Sequence, residues 1–225
     1  MNDQFSEMLG VLAHEMRTPI AAILGYQELL AEGIFGNVDP RSQEPLARIA
    51  YSAKQLLNLI DGVHEVMSPP EKRLEVQTEI FEPGAKLREC IENATTDAQG
   101  RNVRLADDLD LDLPLVNADP DRFCRAIDLA LSAAIKTSHG STLHVAAQST
   151  NGKLEIVIAG TALQSERDDP SISALRGSES GPLTGAGLRL AIVRHLAGQM
   201  SGDLKLEPHG GRTSLILEMP AYKPV

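Results

Sequence analysis

The chain has no tryptophan and only 3% aromatic residues, so its core must be built from aliphatic side chains. Its two cysteines, Cys90 and Cys124, make neither a disulfide framework nor a zinc site. No apolar run approaches the roughly 18–20 residues that a membrane span needs. The start, MNDQFSEMLG, lacks the basic region and long apolar core of a signal peptide, so a cytoplasmic location is expected. An excess of positive charge is missing as well: 21 Lys and Arg stand against 31 Asp and Glu, a net charge of −10. An acidic surface repels phosphate backbones and disfavours nucleic acid as a partner. What is present, 42% hydrophobic and 23% charged residues in a chain of 225, is the composition of a folded globular protein with one large domain or two small ones.

Residues 2–32 carry a helical pattern. Phe5, Leu9, Leu12, Met16, Pro19, Ile23, Tyr26 and Leu30 are spaced alternately by four and three, which is a coiled-coil seam. Gly33 and Gly36 stop this helix, and Asp39-Pro40 starts another. The second seam runs through Leu46, Ile49, Ala53, Leu56, Ile60, Val63 and Met67, and Ser68-Pro69-Pro70 ends it. One hairpin cannot bury both stripes by itself. Pairing of two copies into a dimeric four-helix bundle solves this; packing of the hairpin on the rest of the chain is the alternative.

His14 lies two residues after Leu12, about 200° round the helix from the seam, and so faces solvent. Thr18 shares its face, Glu15 flanks it, and Pro19 removes a backbone donor just beyond. An imidazole can attack a phosphorus centre, and a neighbouring carboxylate can orient it or take its proton. His14-Glu15-Met16-Arg17-Thr18-Pro19 resembles the H-box of the sensor histidine kinases of two-component signalling. The surrounding FSEMLGVLAHEMRTPIAAILGYQELL is similar to their dimerisation and phosphotransfer helix over its whole length. The resemblance implies that His14 is the phosphoacceptor and Glu15 its acid/base partner. It also implies that Thr18 helps orient water for dephosphorylating a partner regulator, with a response-regulator receiver domain as that partner. An upstream sensor domain fits the same resemblance.

Beyond the hairpin the pattern changes. Residues 74–82 alternate as a strand, 83–99 form an amphipathic helix, 103–109 a strand, and Leu115-Val116 a short strand. Asp119-Pro120 starts a helix that runs to about Lys136. Strands at 141–149 and 153–159 are joined by an Asn151-Gly152 hairpin turn. Residues 160–184 read as a long loop, 186–200 as a helix, and 203–207 and 212–219 as strands around a His209-Gly210-Gly211 turn. The fold class is α+β, with the helical hairpin followed by an α/β two-layer sandwich.

This order resembles the catalytic ATP-binding domain of the same family, of GHKL type, over residues 74–220. The implied organisation is a dimerisation and histidine phosphotransfer domain at 1–68, a linker at 69–73, a degenerate catalytic/ATP-binding-like domain at 74–220 and a tail at 221–225. Its motifs are eroded. The helix ADPDRFCRAIDLALSAAIKTS resembles the N-box, but the two asparagines that hold Mg²⁺ and phosphates in the family are Leu129 and Ala133 here. The aspartate that accepts from adenine falls at Gly160, or at Ala159 in the next register, and the following glycines become Ala162 and Gln164. Only Gly185 and Gly187 remain of the second glycine box, a weak nucleotide-loop remnant, with Arg189 in place of a third glycine. Lys136 and Arg122 read as solvated charges, His64 as a bundle-edge residue, His139 and His209 as turn residues, and the cysteines as core. No histidine pair has metal-ligand spacing, so no metal is expected. Three readings follow. The first is a histidine phosphotransferase that shuttles phosphate between regulator aspartates and has no cofactor. The second is a divergent kinase using ATP and Mg²⁺. The third is a pseudokinase scaffold.

Overall fold

A computed structural model describes residues 2–68, 75–138, 140–161, 184–209 and 211–223. The chain divides into two compact units, Met1–Glu75 and Val76–Val225. Among the described residues, no helix is long and apolar enough to cross a membrane.

The first unit is the expected hairpin, α1 (Asn2–Ala31) and α2 (Pro40–Met67). α1 stays helical through Pro19. It ends in a Schellman motif: Gly33, at φ +74°, donates to the Leu30 carbonyl, and Ile34 N–H reaches back to the Leu29 carbonyl. α2 begins at Pro40 behind Asp39, whose carboxylate accepts from Arg41 N–H at 2.9 Å. The buried strip of α1 runs beside the expected seam rather than along it. Ala13 and Ile20 are buried, whereas Leu12, Ile23 and Tyr26 stay exposed at 49%, 48% and 64%. Ile49 and Leu56 of α2 are exposed in the same way. Two helices touch along one narrow strip each, so the rest of each apolar stripe is uncovered within the described hairpin. The side chain of Phe5 lies outside the described residues. His64 departs from the bundle-edge expectation. It turns toward α1 and lines an apolar hollow with Leu9, Leu12, Met16, Ile60 and Val63. A Cβ at Gly10 would sit 3.3 Å from its Nε2, so the glycine permits this close approach.

The second unit is a two-layer sandwich. A five-stranded sheet has the order β2 (Arg104–Leu109), β4 (Thr142–Thr150), β5 (Lys153–Thr161), β7 (Arg212–Pro220), β6 (Asp203–His209). Only β2 and β4 run parallel. Alternate residues point to the core: Leu143, Val145 and Ala147 on β4, then Leu154, Ile156 and Ile158 on β5, are all nearly inaccessible. Helices α3 (Pro83–Gln99), α4 (Pro120–Thr137) and α5 (Gly185–Gln199) supply the opposing layer. Leu87, Ile91 and Ala94 face inward as the pattern predicts. α4 lies between the other two and is buried continuously from Leu129 to Ile135. Its start is capped by Asp119, which accepts from the N–H groups of Asp121 and Arg122 at 3.1 Å each.

Some boundaries differ from the sequence pattern. Within the strand expected at 74–82, only β1 (Glu79–Phe81) forms, and Leu74 lies outside the described residues. β1 pairs with β3 (Val116–Ala118) in a separate two-stranded sheet, so its length is limited by a partner equally short. His209 belongs to β6, where it pairs with Arg212, rather than to the turn; His139 lies outside the described residues. The Asn151-Gly152 turn has both residues at positive φ, +53° and +75°, as the primed hairpin geometry requires.

β5 extends past Ala159 to Thr161, with a register shift against β7 between Ile158 and Thr161. Gly160 sits in that irregularity at φ +91°. A Cβ there would lie 2.8 Å from the Thr142 carbonyl oxygen of the neighbouring strand. Both facts exclude a side chain without strain. Gly160→Asp is therefore expected to destabilise the α/β unit by roughly 1–3 kcal/mol. The measurement is the urea midpoint of the unfolding transition; a variant as stable as the parent contradicts the strained geometry.

Candidate functional site

His14, Glu15, Arg17 and Thr18 occupy the outer side of α1 and are exposed, while Ala13 and Ile20 anchor the opposite side. The period of the helix dictates this division: residues three and four apart share a face. Thr18 Oγ1 donates to the His14 carbonyl at 3.4 Å, so its hydroxyl stays on the histidine's own turn. Arg17 reaches across to α2 and pairs with Asp61, Nη2 to Oδ1 at 2.6 Å. Asp61 was not legible in the sequence as part of this site; nothing in its own surroundings marks it, and only the hairpin register brings it opposite Arg17. Chemically, the arrangement offers an accessible imidazole with a carboxylate and a hydroxyl near it.

The sequence also nominates a nucleotide site, and the residues there do not fit Mg²⁺-ATP as the family holds it. Leu129 and Ala133 are fully buried on α4 and present no oxygen to a hard cation. At Gly160 the backbone has no room for a carboxylate. The alternative position, Ala159, carries none either. Ala162 and Gln164 lie outside the described residues. Gly185 and Gly187 do form the first turn of α5, but Gly187 N–H is taken by the Thr184 hydroxyl at 3.1 Å. Arg189 is 7% exposed and folds back so that its Nη1 donates to the Gly185 carbonyl at 2.7 Å. A guanidinium thus lies against the turn where the family has a third glycine.

Two charges expected in solvent are not there. Arg122 is 5% exposed, pairs with Asp119 at 3.6 Å and donates to Gln199 Oε1 at 2.7 Å. Gln199 continues to His195, 3.0 Å between their Nε2 atoms, and Asp119 Oδ2 also accepts from Gln77 N–H at 3.2 Å. Arg122 is therefore a structural tie between α4 and α5 and, through Asp119, the segment before β1. Lys136 is half-buried, and burial pushes its ammonium below the ordinary lysine range. The nearby Arg189 cation pushes in the same direction, and Asp97 opposes it. His144 is an exposed strand residue. Among the described residues, no group of three or more His, Cys, Asp or Glu side chains is placed to hold a metal ion.

Residues 6–67 match the His Kinase A (phospho-acceptor) domain family. An uncharacterized sensor-like histidine kinase of Rhizobium meliloti (strain 1021) is 25% identical over 224 residues, which cover 96% of this chain and 42% of that protein. The histidine protein kinase DivJ of Caulobacter vibrioides is 26% identical over 226 residues, covering 96% of this chain and 37% of that protein. The chain thus spans less than half the length of these relatives. Among solved structures, full-length ShkA in complex with AMPPNP is similar with a TM-score of 0.64 and 22% identity, covering 97% of this chain and 46% of that one. That likeness shows the fold. Residues 6–67 thus match the phospho-acceptor domain family, and the chain over nearly its whole length is similar to sensor histidine kinases and shares a fold with one of them.

Proposed function

We propose that this chain carries phosphate on His14 between response-regulator receiver domains, works as a homodimer, and does not load itself efficiently from ATP. The observation behind this reading is the contrast between the two units. The H-box is intact and exposed, while Leu129, Ala133, Gly160 and Arg189 stand where the family's nucleotide ligands would be. In the transfer, a ring nitrogen of His14 forms the N–P bond as the O–P bond to the regulator's aspartyl phosphate breaks. The aspartate leaves as a carboxylate. Glu15 holds or accepts the imidazole proton, and the return step reverses these events. Thr18 acts only in hydrolysis, by orienting water.

A divergent ATP-using kinase is the competing reading. Its support is the fold shared with ShkA, solved with AMPPNP, and the retained Gly185 and Gly187. These two glycines would be its remaining nucleotide contacts.

The transfer site is tested by incubating the protein with a phosphorylated receiver domain and measuring acid-labile, alkali-stable phosphate. His14→Ala is expected to abolish labelling in both directions without unfolding, because the side chain stands in solvent. Glu15→Ala is expected to slow transfer by about 10²–10⁴-fold. Thr18→Ala should spare transfer and reduce regulator dephosphorylation. Phosphate still accepted by His14→Ala protein would overturn the assignment. Dimerisation is tested separately by sedimentation. The exposed Leu12, Ile23, Tyr26, Ile49 and Leu56 stripe calls for a second hairpin to complete a four-helix bundle. A dimer is expected at micromolar concentration, and Leu12→Asp should yield monomer or unfolded hairpin; a stable folded monomer of the parent chain contradicts it.

A further inference from the structure

The two cysteines, distant in sequence, meet across the α3–α4 seam. Cys90 sits on the inner side of α3 and is 3% exposed; Cys124, in the second turn of α4, is only half-buried. The Cys90 thiol reaches across the seam to Cys124, its sulfur 3.9 Å from the Cys124 carbonyl oxygen. Lys86, one turn before Cys90, and Asp128, one turn after Cys124, flank the pair, and Glu89 stands beside it. Lys86 is held in place over the Phe81 ring, 5.7 Å from its centre, and Phe81 meets Phe123 edge-on at 5.5 Å. No step of phosphotransfer through His14 uses any of these groups.

We propose that Cys90 and Cys124 form a reversible redox site, oxidised by hydroperoxides to an intramolecular disulfide that ties α3 to α4. The surroundings assign the roles. The hydrogen bond from Cys90 lowers the Cys124 thiol below its ordinary range, and Lys86 adds to this, against burial and the charges of Asp128 and Glu89. The same hydrogen bond, burial and Asp128 push the Cys90 thiol up. Accessibility sets the order: Cys124, half-buried, is the attacking thiolate, and Cys90, 3% exposed, is the resolving thiol. In the first step Cys124 sulfur attacks the distal peroxide oxygen, the O–O bond breaks, and Cys124 becomes a sulfenic acid while hydroxide leaves and is protonated to water. In the second, Cys90 sulfur attacks Cys124 sulfur, the S–O bond breaks, and the hydroxide leaves with the Cys90 proton as a second water. Two thiols supply the two electrons that reduce one hydrogen peroxide.

The disulfide closes the chain between residues 90 and 124, including the capped start of α4. Loop closure of this size is expected to raise the melting temperature of the oxidised α/β unit by roughly 5–10 °C, reversibly with dithiothreitol. The test treats the full native chain with hydrogen peroxide, blocks remaining thiols before denaturation, and maps the products by non-reducing proteolysis and mass spectrometry. The expected result is a peptide pair joined through Cys90 and Cys124 within one chain. In Cys90→Ala protein, shown to be folded by circular dichroism, the second step is gone, and dimedone should trap a sulfenic acid on Cys124. Three results in the parent protein would overturn the proposal: Cys124 oxidised to sulfinic acid with Cys90 still a thiol, a disulfide between two copies, or both thiols unchanged. The parent measurement needs no substitution, so a folding defect in the variant cannot decide it.

Discussion

The packing of one strip of α1 on α2 is the constraint on which the proposed phosphoacceptor, His14, depends. A histidine that must meet another protein's carboxyl group has to stand in solvent and still hold its direction. Ala13 and Ile20, buried on either side of His14 in sequence, fix the helix against its partner. The Arg17–Asp61 pair then resists rotation from the flank. Arg17 is 45% exposed, and such pairs contribute about 0–1 kcal/mol to stability, so its value lies in orientation rather than in holding the hairpin together. The same packing leaves Leu12, Ile23, Tyr26, Ile49 and Leu56 exposed, which links the proposed reactive face to the proposed self-association. One geometric fact, that two helices share only a narrow strip, accounts for both.

In the α/β unit the logic runs the other way, because Leu129 and Ala133, at positions that the resemblance assigns to ligands, are buried in the core. A fully buried leucine stabilises a fold by about 1.5–3 kcal/mol relative to an exposed one. Leu129 contributes on that scale where a ligand amide would have to stay solvated or bound. Arg189 bonds to the turn it departs from, and Arg122 ties α4 to α5 through Gln199.

Much of this was legible from residues. The hairpin announces itself through the three-four spacing from Leu9 to Leu30 and its glycine stop. The position of α3 follows from its amphipathic pattern, that of α4 from the Asp119-Pro120 start, and that of the β4–β5 hairpin from an Asn-Gly turn. The face of His14 follows from counting 100° steps. What the sequence hid depends on partners far along the chain. Arg122 looks solvated until Gln199, on another helix, accepts its hydrogen bond. Asp61 is an ordinary surface acid until the hairpin register places it opposite Arg17. The thiols of Cys90 and Cys124 each read as core, and their meeting depends on how two helices cross. β1 is shorter than its alternating pattern because pairing, not pattern, limits a strand, and β3 offers it only three residues.

The central claim is that the phosphoacceptor has been kept while the means of charging it from ATP has been lost. Each missing nucleotide partner at positions 129, 133 and 160 costs roughly 1–3 kcal/mol. Together they weaken binding by about 10³-fold or more, at ~1.4 kcal/mol per decade. Titration calorimetry of the full chain with Mg²⁺-ATP measures this directly. The account predicts no saturable binding tighter than about 1 mM. A micromolar dissociation constant would contradict it and identify the chain as a divergent kinase.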